Sequence, residues 1–544
     1  FERRSRLRDL VLAECVEGRG RFLDEILNGV WAICEESSWA ISAHVGHQKA
    51  GVGLPDTEDP QVALFSCETA SLLAWTVYLV GGRLDEGSPL ITSRLDREIK
   101  RRVLDPAIER DDWPWMGFEG GWVNNWNPWC NSNLLSPLLL LERQEARRAA
   151  GVHKILRSLD VFLGSYQADG GCDEGPGYWN VAGGALFDCL EVLRSATGGA
   201  LDVYDQPLVQ EIGRYIYRVH IHDRYYINFA DASAKVGIAD DLVFRYGKRI
   251  GDKNLMALGA WAARGRMAAG PGASGSIGRQ LPALAGLEEL QAAPAAQPLV
   301  RDVWLQGIHV MAARSAGGAA EGLYLAAKGG HNAESHNHND VGNFIVYVDG
   351  RPAIIDAGVG TYTAKTFSPQ RYEIWTMQSA YHNLPTVNGV MQQEGREFAA
   401  RDVRYRSGSS FAELSLDIAG AYPPRAGVES WKRKIRLDRA GEVRVEDDYK
   451  LTRSDGGLTL SLLTPCRVAL EGPGRIVLTE KAEAVEAFSL RVYYPAGKLT
   501  AAVESITLDD ARLESVWGGE LNRILLSAPA GAPLRDKWTL KVVK

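Results

Sequence analysis

Histidines are concentrated in one short stretch of this sequence, GHNAESHNHNDVGNF, which begins at Gly330. The chain has ten histidines, and three of them fall within eight residues here. His338 is followed by Asp356 across an apolar stretch, and then by His382. Two imidazoles and one carboxylate near strand ends can bind Zn²⁺, with water or another group as the fourth ligand. The alternative is that His338 and His382 are ordinary polar loop residues.

His336 lies two residues before His338, and its role depends on the local backbone. On an extended strand the two side chains would share one face. On a loop they can diverge, so that one binds metal and the other faces a substrate. A histidine that lies beside such a metal site but does not bind the metal can act as a general base, because the pKa of histidine lies near neutrality. A structural histidine with satisfied hydrogen bonds is the alternative.

The segment DDWPWMGFEGGWVNNWNPWCNSN holds five tryptophans and five asparagines. Indole rings in loops above a helical scaffold can stack on the C–H faces of sugars, and amides can bind hydroxyls and carboxylates. The segment therefore predicts a carbohydrate platform, with these candidate residues: Asn124, Asn125, Trp126, Asn127 and Trp129. Core tryptophans with capping asparagines are the alternative.

Tyrosines in two further loops are candidates for proton transfer. GGCDEGPGYWNVAGG places Tyr178 in a Gly- and Pro-rich loop, with Trp179 beside it as a candidate substrate contact. A phenol at a loop tip can donate a proton to a substrate. GTYTAKTFSPQRYEIW adds Tyr362 and Tyr372 as alternative bases. It also adds Arg371, whose guanidinium can pair bidentately with a carboxylate or sulfate. Structural tyrosines and a surface salt bridge are the alternatives.

The elements that must position these residues change in character along the chain. Through residues 1–285, apolar residues recur at three- and four-residue spacing, which predicts helices. Residues 286–299 are rich in Ala, Pro and Gln and predict a linker. Residues 300–544 show short runs with a period near two between Gly, Asp-Gly and Pro turns, which predicts a large antiparallel β-sandwich. We expect the functional site in the crevice between these two domains.

Composition excludes several classes of protein. A chain of 544 residues is too long for one compact core and predicts two or three domains. The net charge of −7 gives no basic field for nucleic acid, and no apolar run in the sequence approaches the length of a membrane span. Seven scattered cysteines without a CxxC pair favour the reducing cytoplasm, whereas removal of a signal peptide would allow a periplasmic or secreted protein. The oligomeric state is open, with a homodimer as one option.

Four ordered motifs together resemble the heparinase II/III-like polysaccharide lyases. These are NNWN at 124–127, GYWN at 177–180, HNHND at 336–340 with Asp356, and YHNLPTVNG at 381–389. The resemblance implies an α+β multidomain fold, in which an N-terminal incomplete (α/α) toroid is followed by a C-terminal antiparallel β-sandwich. It also implies one divalent metal, with zinc as the first choice, in a mainly structural role. The implied ligands are His338, Asp356 and His382.

The same resemblance implies β-elimination at the 4-O-glycosidic bond of an acidic polysaccharide or oligosaccharide. The substrate would be a uronic-acid glycan of the heparin or heparan sulfate, hyaluronan or chondroitin type, with alginate or another uronate oligosaccharide as the alternative. Asn125 would neutralise the substrate carboxylate, Tyr178 would protonate the leaving oxygen, and His336 would take the C5 proton. Some relatives have a histidine beside the asparagine, where this sequence has Trp126, so the functional asparagine stays open among 124, 125 and 127.

Two other classes of function compete with the lyase. A glycoside hydrolase on an (α/α) toroid would use a carboxylate pair drawn from Glu119, Asp173 and Glu174. A non-catalytic glycan-binding protein would keep the toroid and its tryptophans without needing a proton donor. Asparagine, tyrosine and histidine carry the motifs, and the acidic residues lie in ordinary loops, so the sequence favours the lyase.

Overall fold

Helices fill most of the first half of the chain, as the three- and four-residue apolar spacing predicts. In chain order the α-helices are α1 Glu2–Glu17, α2 Leu23–Cys34, α3 Leu64–Gly87, α4 Leu90–Ile99, α5 Asp105–Glu109, α6 Trp126–Leu141, α7 Glu145–Ser165, α8 Pro176–Trp179, α9 Gly183–Ala196, α10 Pro207–Arg218, α11 Asp240–Ile250, α12 Lys253–Ala269, α13 Ile277–Ala285, α14 Leu287–Ala292 and α15 Ala511–Trp517. Only α15 in this list lies in the β-rich half of the sequence.

The computed structural model describes residues 1–121, 123–269, 275–481 and 486–544. The chain divides into two compact units. The first comprises Phe1–Tyr166, Asn180–Gly213 and Ile238–Ala295, and the second comprises Gln167–Trp179, Arg214–Gly237 and Ala296–Lys544. Two short segments from the helical half of the sequence therefore belong to the β-rich unit.

The helix α3 of the first unit is both long and apolar. Its segment Leu64–Asp85 has a mean hydropathy of 1.3 and is long and apolar enough, by length and composition alone, to cross a membrane. The sequence prediction of no such segment is therefore corrected. Polar residues such as Thr76, whose hydroxyl donates to the Leu72 carbonyl at 2.8 Å, interrupt the run of apolar letters. Because 67% of its most apolar window is buried inside the protein, α3 has the character of a core helix.

Strands make up most of the second unit, and the paired strands run antiparallel. In chain order they are β1 His220–His222, β2 Tyr225–Tyr226, β3 Asp302–Leu305, β4 Val310–Arg314, β5 Leu323–Lys328, β6 His331–Asn332, β7 Phe344–Val348, β8 Arg351–Ile354, β9 Pro385–Val387, β10 Gly395–Ala399, β11 Arg401–Ser407, β12 Phe411–Asp417, β13 Val428–Asp438, β14 Glu442–Leu451, β15 Leu458–Thr464, β16 Arg467–Leu470, β17 Arg475–Thr479, β18 Ser489–Tyr493, β19 Thr500–Thr507, β20 Glu520–Ala528 and β21 Arg535–Val543.

Three larger sheets are formed by the described strands. An eight-stranded sheet has the order β11-β12-β13-β14-β21-β18-β17-β16, a five-stranded sheet the order β3-β4-β5-β7-β8, and a four-stranded sheet the order β19-β20-β15-β9. The last two are joined where the Ile355 amide donates to the Leu463 carbonyl at 2.9 Å. Alternate residues of all three sheets share one core, for example Ile435 of β13, Val346 of β7 and Leu460 of β15. The second unit is thus an antiparallel β-sandwich, as predicted.

Two boundaries differ from the sequence prediction. The predicted linker 286–299 contains α14, because Leu290 of that helix is buried in an apolar cluster with Phe244 and Ala260. The segment PLVQEIGRYIYRVHIH is helical only as far as Arg218, after which the chain forms the β1–β2 hairpin. Alternation in HIHDRYY is the local signal for that change.

The turn predicted in VYVDGRPAII is present between β7 and β8. Asp349 has φ 51° and Gly350 has φ 75°, which are the two left-handed positions of a type I′ turn. The register pairs Val348 with Arg351 across the turn. The hairpin matters for function because its open ends carry residues of the candidate site.

One buried arginine ties the sandwich to the loops around that site. Arg433 lies on the inward face of β13 and pairs with both carboxylate oxygens of Asp447, at 2.8 and 2.9 Å. Its Nη1 also donates to the backbone carbonyls of Gly342 and Asn383, at 3.1 and 2.9 Å. Asn383 is the neighbour of His382, so this ion pair holds the loops that precede β7 and β9.

Candidate active site

A buried group of two histidines and an aspartate lies at the ends of β7 and β8. His338 precedes β7, Asp356 follows β8, and the hairpin brings both to the same end of the sheet. His382 comes from the turn before β9. One ligand atom from each lies within 4.8 Å of the other two, and all three residues are fully buried. We call these three residues the metal cage.

The unpaired atoms of the metal cage show whether it suits a metal ion. His338 Nδ1 and His382 Nε2 are buried without hydrogen-bond partners among the described residues. The other ring nitrogens are engaged: His338 Nε2 contacts Asp231 Oδ1 at 3.0 Å, and His382 Nδ1 contacts Asp356 Oδ2 at 3.0 Å. Free imidazole nitrogens beside a carboxylate are a donor set that fits Zn²⁺, and a carboxylate behind a ligating histidine is a common support. The residues therefore fit a divalent metal.

A second group surrounds the buried carboxylate of Asp231. Its Oδ1 accepts from His338 Nε2 and, at 2.7 Å, from Arg371 Nη2. Its Oδ2 contacts His336 Nδ1 at 2.8 Å and accepts from the Tyr362 hydroxyl at 3.1 Å. Burial alone would raise the pKa of Asp231, but hydrogen bonds from the two histidines and the charge of Arg371 hold it far below its usual range. The carboxylate is therefore ionised at neutral pH.

Tyr178 reaches this group from the short helix α8. The hydroxyls of Tyr178 and Tyr362 are hydrogen-bonded to each other, and the Tyr362 hydroxyl also donates to Asp231. The Tyr178 ring also stacks on His336, with 4.3 Å between ring centroids. Burial raises the pKa of Tyr178 to about 12, and burial together with the nearby Asp231 carboxylate raises the pKa of Tyr362 as well. Both phenols are therefore protonated at neutral pH.

His336 lies in a loop rather than on a strand, with a left-handed φ of 55°. Its Nδ1 contacts Asp231, and its Nε2 lies 3.3 Å from a carboxylate oxygen of Glu174. Burial lowers the pKa of His336, but the two carboxylates outweigh burial and raise it to about 9. The structure thus brings Tyr178, Tyr362 and His336 into contact, and we call these three the tyrosine–histidine cluster.

Arg371 and Tyr372 are held by neighbours within the second unit. Besides Asp231, the Arg371 guanidinium donates to the carbonyls of Asn337 and Thr366, at 3.0 and 2.9 Å. The Tyr372 hydroxyl accepts from the Asn337 amide at 3.0 Å. The donors of Arg371 that were predicted to face a substrate anion are thus used to fix Asp231 and the adjoining loops.

The predicted asparagines lie at the start of α6 in the first unit. Asn124 Oδ1 accepts from the Trp126 amide at 3.1 Å, and Asn125 is the residue before the helix, with 4% of its surface exposed. Asn127 is fully buried, and its amide donates to Trp115 and Ser158. The predicted contact of Asn127 with substrate is therefore corrected, because its amide already fixes the interior of the first unit.

The predicted tryptophans fall into two classes. Trp126 and Trp129 are half-buried, with Trp126 against the His44 ring at 4.4 Å and Trp129 Nε1 donating to Glu68 at 2.8 Å. Trp179 is fully buried, so its indole faces cannot stack on a sugar, and its prediction as a substrate contact is corrected. Its place in α8, directly after Tyr178, explains why it packs inward while the tyrosine reaches the site.

Sequence reasoning missed Asp231, which lies at the centre of the candidate site. It lies in the segment INFADASAKVG, which follows the β1–β2 hairpin and belongs to the second unit. Asn228 of the same segment donates to the Asp356 carbonyl at 3.0 Å and so joins the segment to the metal cage. The only local signal was the loss of helical spacing after Arg218, because nothing in the letters around Asp231 resembles a site motif.

Comparison with known proteins bears on the second unit first. Residues 306–514 match the family described as Heparinase II/III-like, C-terminal. This range contains the whole metal cage, together with His336 and Tyr362. The comparison with curated protein sequences gives no match.

Solved structures resemble the chain over nearly its whole length. A mutant heparan sulfate lyase from Pedobacter heparinus has 15% identity and a TM-score of 0.63, covering 99% of this chain and 76% of its own. A heparinase III structure has 13% identity and a TM-score of 0.68, covering 99% and 76%. A Streptomyces coelicolor A3 chondroitin AC lyase in complex with chondroitin sulphate has 13% identity and a TM-score of 0.56, covering 99% and 74%.

These likenesses confirm two predictions from the sequence. The fold is an incomplete (α/α) toroid followed by an antiparallel β-sandwich, because the similar structures cover 99% of the chain. The resemblance to the heparinase II/III-like lyases is confirmed by the family match over residues 306–514.

Proposed function

We propose that this protein is a polysaccharide lyase that cleaves the 4-O-glycosidic bond of a uronic-acid glycan by β-elimination. The observation that carries the proposal is the contact of Tyr178 with Tyr362 and His336 around the Asp231 carboxylate. Phenol and imidazole are the groups that the proton transfers of this reaction need. Similarity in fold to lyases of heparan sulfate and chondroitin supports an acidic glycan as the substrate.

The reaction sets three chemical requirements. A base removes the C5 proton, the electron pair of that C–H bond forms the C4–C5 double bond, and the C4–O4 bond breaks. An acid protonates the departing O4. The substrate carboxylate must also be neutralised, because its charge otherwise opposes build-up of negative charge at C5.

Tyr178 is the proposed acid. Its raised pKa, about 12, keeps the phenol protonated until O4 departs. Its hydroxyl is oriented by Tyr362, which is itself fixed by the Asp231 carboxylate. Two fixed partners behind one reactive hydroxyl restrict its motion, which favours proton transfer to a positioned oxygen.

The base depends on which face of the sugar carries the C5 proton. His336 Nδ1 is held by Asp231, so Nε2 is the atom that can meet substrate, by replacing its longer 3.3 Å contact with Glu174. His336 then serves where the C5 proton and O4 lie on opposite faces. Only the neutral imidazole can take that proton, and displacement of Glu174 favours it, because the Glu174 carboxylate is one of the two groups that raise the pKa of His336. Where both lie on one face, Tyr178 performs both transfers. It must first lose its own proton, then takes the C5 proton as a phenolate and passes that proton to O4, and Tyr362 is the next candidate base.

An amide at the start of α6 is the proposed partner of the substrate carboxylate. Asn127 donates to Trp115 and Ser158, so the proposal keeps Asn125, the residue that the family resemblance implies, with Asn124 as the alternative. An amide N–H that strengthens its bond as charge develops is worth about 3 kcal/mol of barrier. Asn125→Ala should therefore lower kcat by about 100-fold.

We also propose one divalent metal, zinc, in the metal cage. His338 Nδ1, His382 Nε2 and the Asp356 carboxylate would hold it, and its role would be mainly structural. Metal analysis of protein purified without chelator should give about one equivalent of zinc. His338→Ala should lose that equivalent, whereas His336→Ala should keep it, because only the former removes a proposed ligand.

Ultraviolet absorbance tests the proposed activity directly. β-Elimination creates a C4–C5 double bond conjugated with the carboxylate, which absorbs in the ultraviolet, whereas hydrolysis creates none. We expect an increase in absorbance with at least one of heparan sulfate, heparosan, hyaluronan, chondroitin, chondroitin sulfate and alginate. Reducing ends without ultraviolet absorbance would instead indicate a hydrolase, and no cleavage of any glycan would contradict the proposed lyase.

A further inference from the structure

A cation and an exposed aromatic ring flank the tyrosine–histidine cluster within the second unit. The guanidinium of Arg512 lies over the Tyr362 ring, 5.6 Å from its centroid. Phe367 has 70% of its surface exposed, and its ring makes edge contacts with Tyr362 and His336 at centroid distances of 5.2 and 5.9 Å. No sequence motif marks either residue, since Phe367 lies in a loop and Arg512 in a short helix.

The position of Arg512 is fixed by both ends of the helix α15. Asp510 caps the helix by accepting from the Arg512 and Leu513 amides, and its other oxygen accepts from the Thr361 amide at 2.8 Å. At the far end, Trp517 Nε1 donates to the Ala357 carbonyl at 2.9 Å. The helix is therefore pinned along the segment that leads from the metal cage to Tyr362.

The donors of Arg512 are largely free. Its Nη1 makes a long 3.5 Å contact with the Gly360 carbonyl, and no carboxylate of the described residues lies within ion-pair distance of its guanidinium. Arg371, the other arginine at this site, is consumed by Asp231 and two carbonyls. Stacking on Tyr362 uses the flat face of the Arg512 guanidinium and leaves its edge for an anion.

Phe367 is exposed although its loop is well anchored. The Thr363 amide donates to the Thr366 hydroxyl at 2.9 Å, and the Thr366 carbonyl accepts from Arg371 at 2.9 Å. Thr366 is itself 1% exposed, directly beside the exposed phenylalanine. An aromatic ring held outward at the edge of polar catalytic groups offers a flat apolar face that suits the C–H face of a sugar.

We propose that Arg512 and Phe367 form a sugar-binding subsite beside the tyrosine–histidine cluster, in which Arg512 binds an anionic group and Phe367 packs on the sugar ring. The inference rests on the proposed lyase function and deepens it. The ligand is a pyranose that carries an oxyanion, either a uronate carboxylate or a sulfate ester. Both present two oxygens to the edge of a guanidinium, so the shared chemistry is bidentate pairing with Arg512.

Steady-state kinetics on a cleaved glycan test the subsite. Arg512→Gln should raise KM by about 10- to 100-fold, which corresponds to one charged hydrogen-bonded contact, with kcat changed by less than about 3-fold. The KM of Arg512→Lys should lie between those of Arg512→Gln and the wild type, because lysine keeps the charge but cannot make the two parallel hydrogen bonds of a guanidinium. Phe367→Ala should raise KM by about 3- to 10-fold.

Arg436 provides the matched control. It also stacks on an aromatic ring, Phe411 at 4.1 Å, but it pairs with Glu413 and Asp438 in the outer face of β13. Arg436→Gln should leave kcat and KM within about 2-fold of wild type. An Arg512→Gln enzyme with unchanged KM would overturn the subsite, and so would a loss confined to kcat, which would mean that Arg512 only positions Tyr362.

A calorimetric binding assay with two oligosaccharides shows whether Arg512 binds a carboxylate or a sulfate ester. An unsulfated uronate oligosaccharide carries only carboxylates, whereas a carboxyl-reduced sulfated one carries only sulfate esters. Arg512→Gln should weaken binding of just one of the pair, and that one identifies the group. Loss of binding in this variant, when wild type cleaves no glycan, supports the subsite and contradicts the lyase. Wild-type protein that neither cleaves nor binds any of these glycans contradicts both.

Discussion

The metal cage and the tyrosine–histidine cluster meet at one carboxylate but differ in construction. The cage is fully buried and comes from one hairpin and the loop that follows it. The cluster is half-buried and comes from three segments, carried by α8, by the loop before β7 and by the loop after β8. This difference fits the proposed roles, because a structural metal site can be closed, whereas groups proposed to exchange protons with a substrate must stay open to it.

Asp231 divides its two oxygens between these regions. Oδ1 faces His338 of the cage, together with Arg371, and Oδ2 faces His336 and Tyr362 of the cluster. A rigid buried cage can therefore set the orientation of the half-exposed cluster through a single side chain. Support of this kind behind reactive groups keeps them within the narrow tolerance that catalysis needs.

The largest expected effect is that of Tyr178→Phe, which should lower kcat without changing metal content or stability. Tyr178→Phe removes the proposed acid but keeps the ring that stacks on His336, so kcat should fall by about 10²- to 10⁴-fold. Metal content and thermal unfolding should match the wild type, because the cage is untouched. The kcat values of both enzymes are measured by ultraviolet absorbance on a glycan that the wild-type enzyme cleaves. Tyr493→Phe, at an exposed tyrosine of β18, is the matched control and should be silent. A Tyr178→Phe enzyme of near wild-type kcat would move the acid role to Tyr362.

The support beneath the cage should be the most sensitive point for stability. Arg433→Met leaves the Asp447 carboxylate buried without its cation and frees the carbonyls of Gly342 and Asn383. Breaking a buried ion pair in this way costs about 3–5 kcal/mol in the free energy of unfolding. Urea unfolding monitored by fluorescence gives the value.

The other face of the same strand supplies the control for that variant. Arg436 lies three residues further along β13, on the opposite face, and 28% of its side chain is exposed, so for Arg436→Met we expect a change below about 0.5 kcal/mol. Equal losses in the two variants would mean that strand propensity rather than the buried pair is responsible. Replacing Asp447 with leucine in the Arg433→Met protein removes the unpaired carboxylate but leaves the indole N–H groups of Trp431 and Trp538 without their acceptor, so only part of the loss should be recovered.

The metal cage was predictable because its residues are tied to local structure. His338 and Asp356 flank a hairpin whose turn is predicted by the Asp-Gly pair in the sequence. Because the two strands of a hairpin are antiparallel, the start of β7 and the end of β8 lie side by side. His382 follows in the next motif along the chain. The antiparallel sandwich was predictable for the same reason, since alternation and turn residues act over a few positions.

The centre of the cluster was not predictable in this way. Asp231 reaches His336 across 105 positions of sequence, and Tyr178 reaches Tyr362 across 184. Such contacts are decided by the packing of segments 167–179 and 214–237 with the sandwich, for which no short-range pattern exists. Arg371 illustrates the converse, because its residue type predicted a substrate anion while tertiary contact supplied Asp231 instead.

Acid should lower the free energy of unfolding through His220, which lies with Asp231 in the segment 214–237. Burial lowers the pKa of His220 in β1 to about 4, from an ordinary value near 6.5, and the charges of Arg314 and His222 add to the effect. The unfolded chain therefore binds a proton that the folded protein does not, between pH 6.5 and 4. The stability from neutral His220 is present above pH 6.5 and is lost as pH falls towards 4, by about 3 kcal/mol.

Unfolding free energies at a series of pH values measure this loss. His220→Gln should flatten the curve between pH 6.5 and 4, and hydrogen exchange in wild type at pH 5 should increase first in residues 214–237. A curve for His220→Gln that stays as steep as the wild type would assign the acid sensitivity to other groups.

The smallest expected effect bears most directly on the comparison, because Asp231→Asn alters the one residue shared by both regions. The amide keeps the shape of the carboxylate but presents N–H to partners that need an acceptor, so either His338 or the pair of His336 and Tyr362 loses its bond. A change behind a metal ligand or a reactive group typically costs about 10- to 100-fold in metal affinity or activity. We expect both zinc affinity and kcat to fall within that range, as measured by competition with a chelator and by ultraviolet absorbance. If kcat falls while zinc affinity is unchanged, the cage stands without Asp231 and the two regions are energetically separate. If both fall together and zinc in excess restores kcat, the cage positions the cluster, and Asp231 is the residue through which it does so.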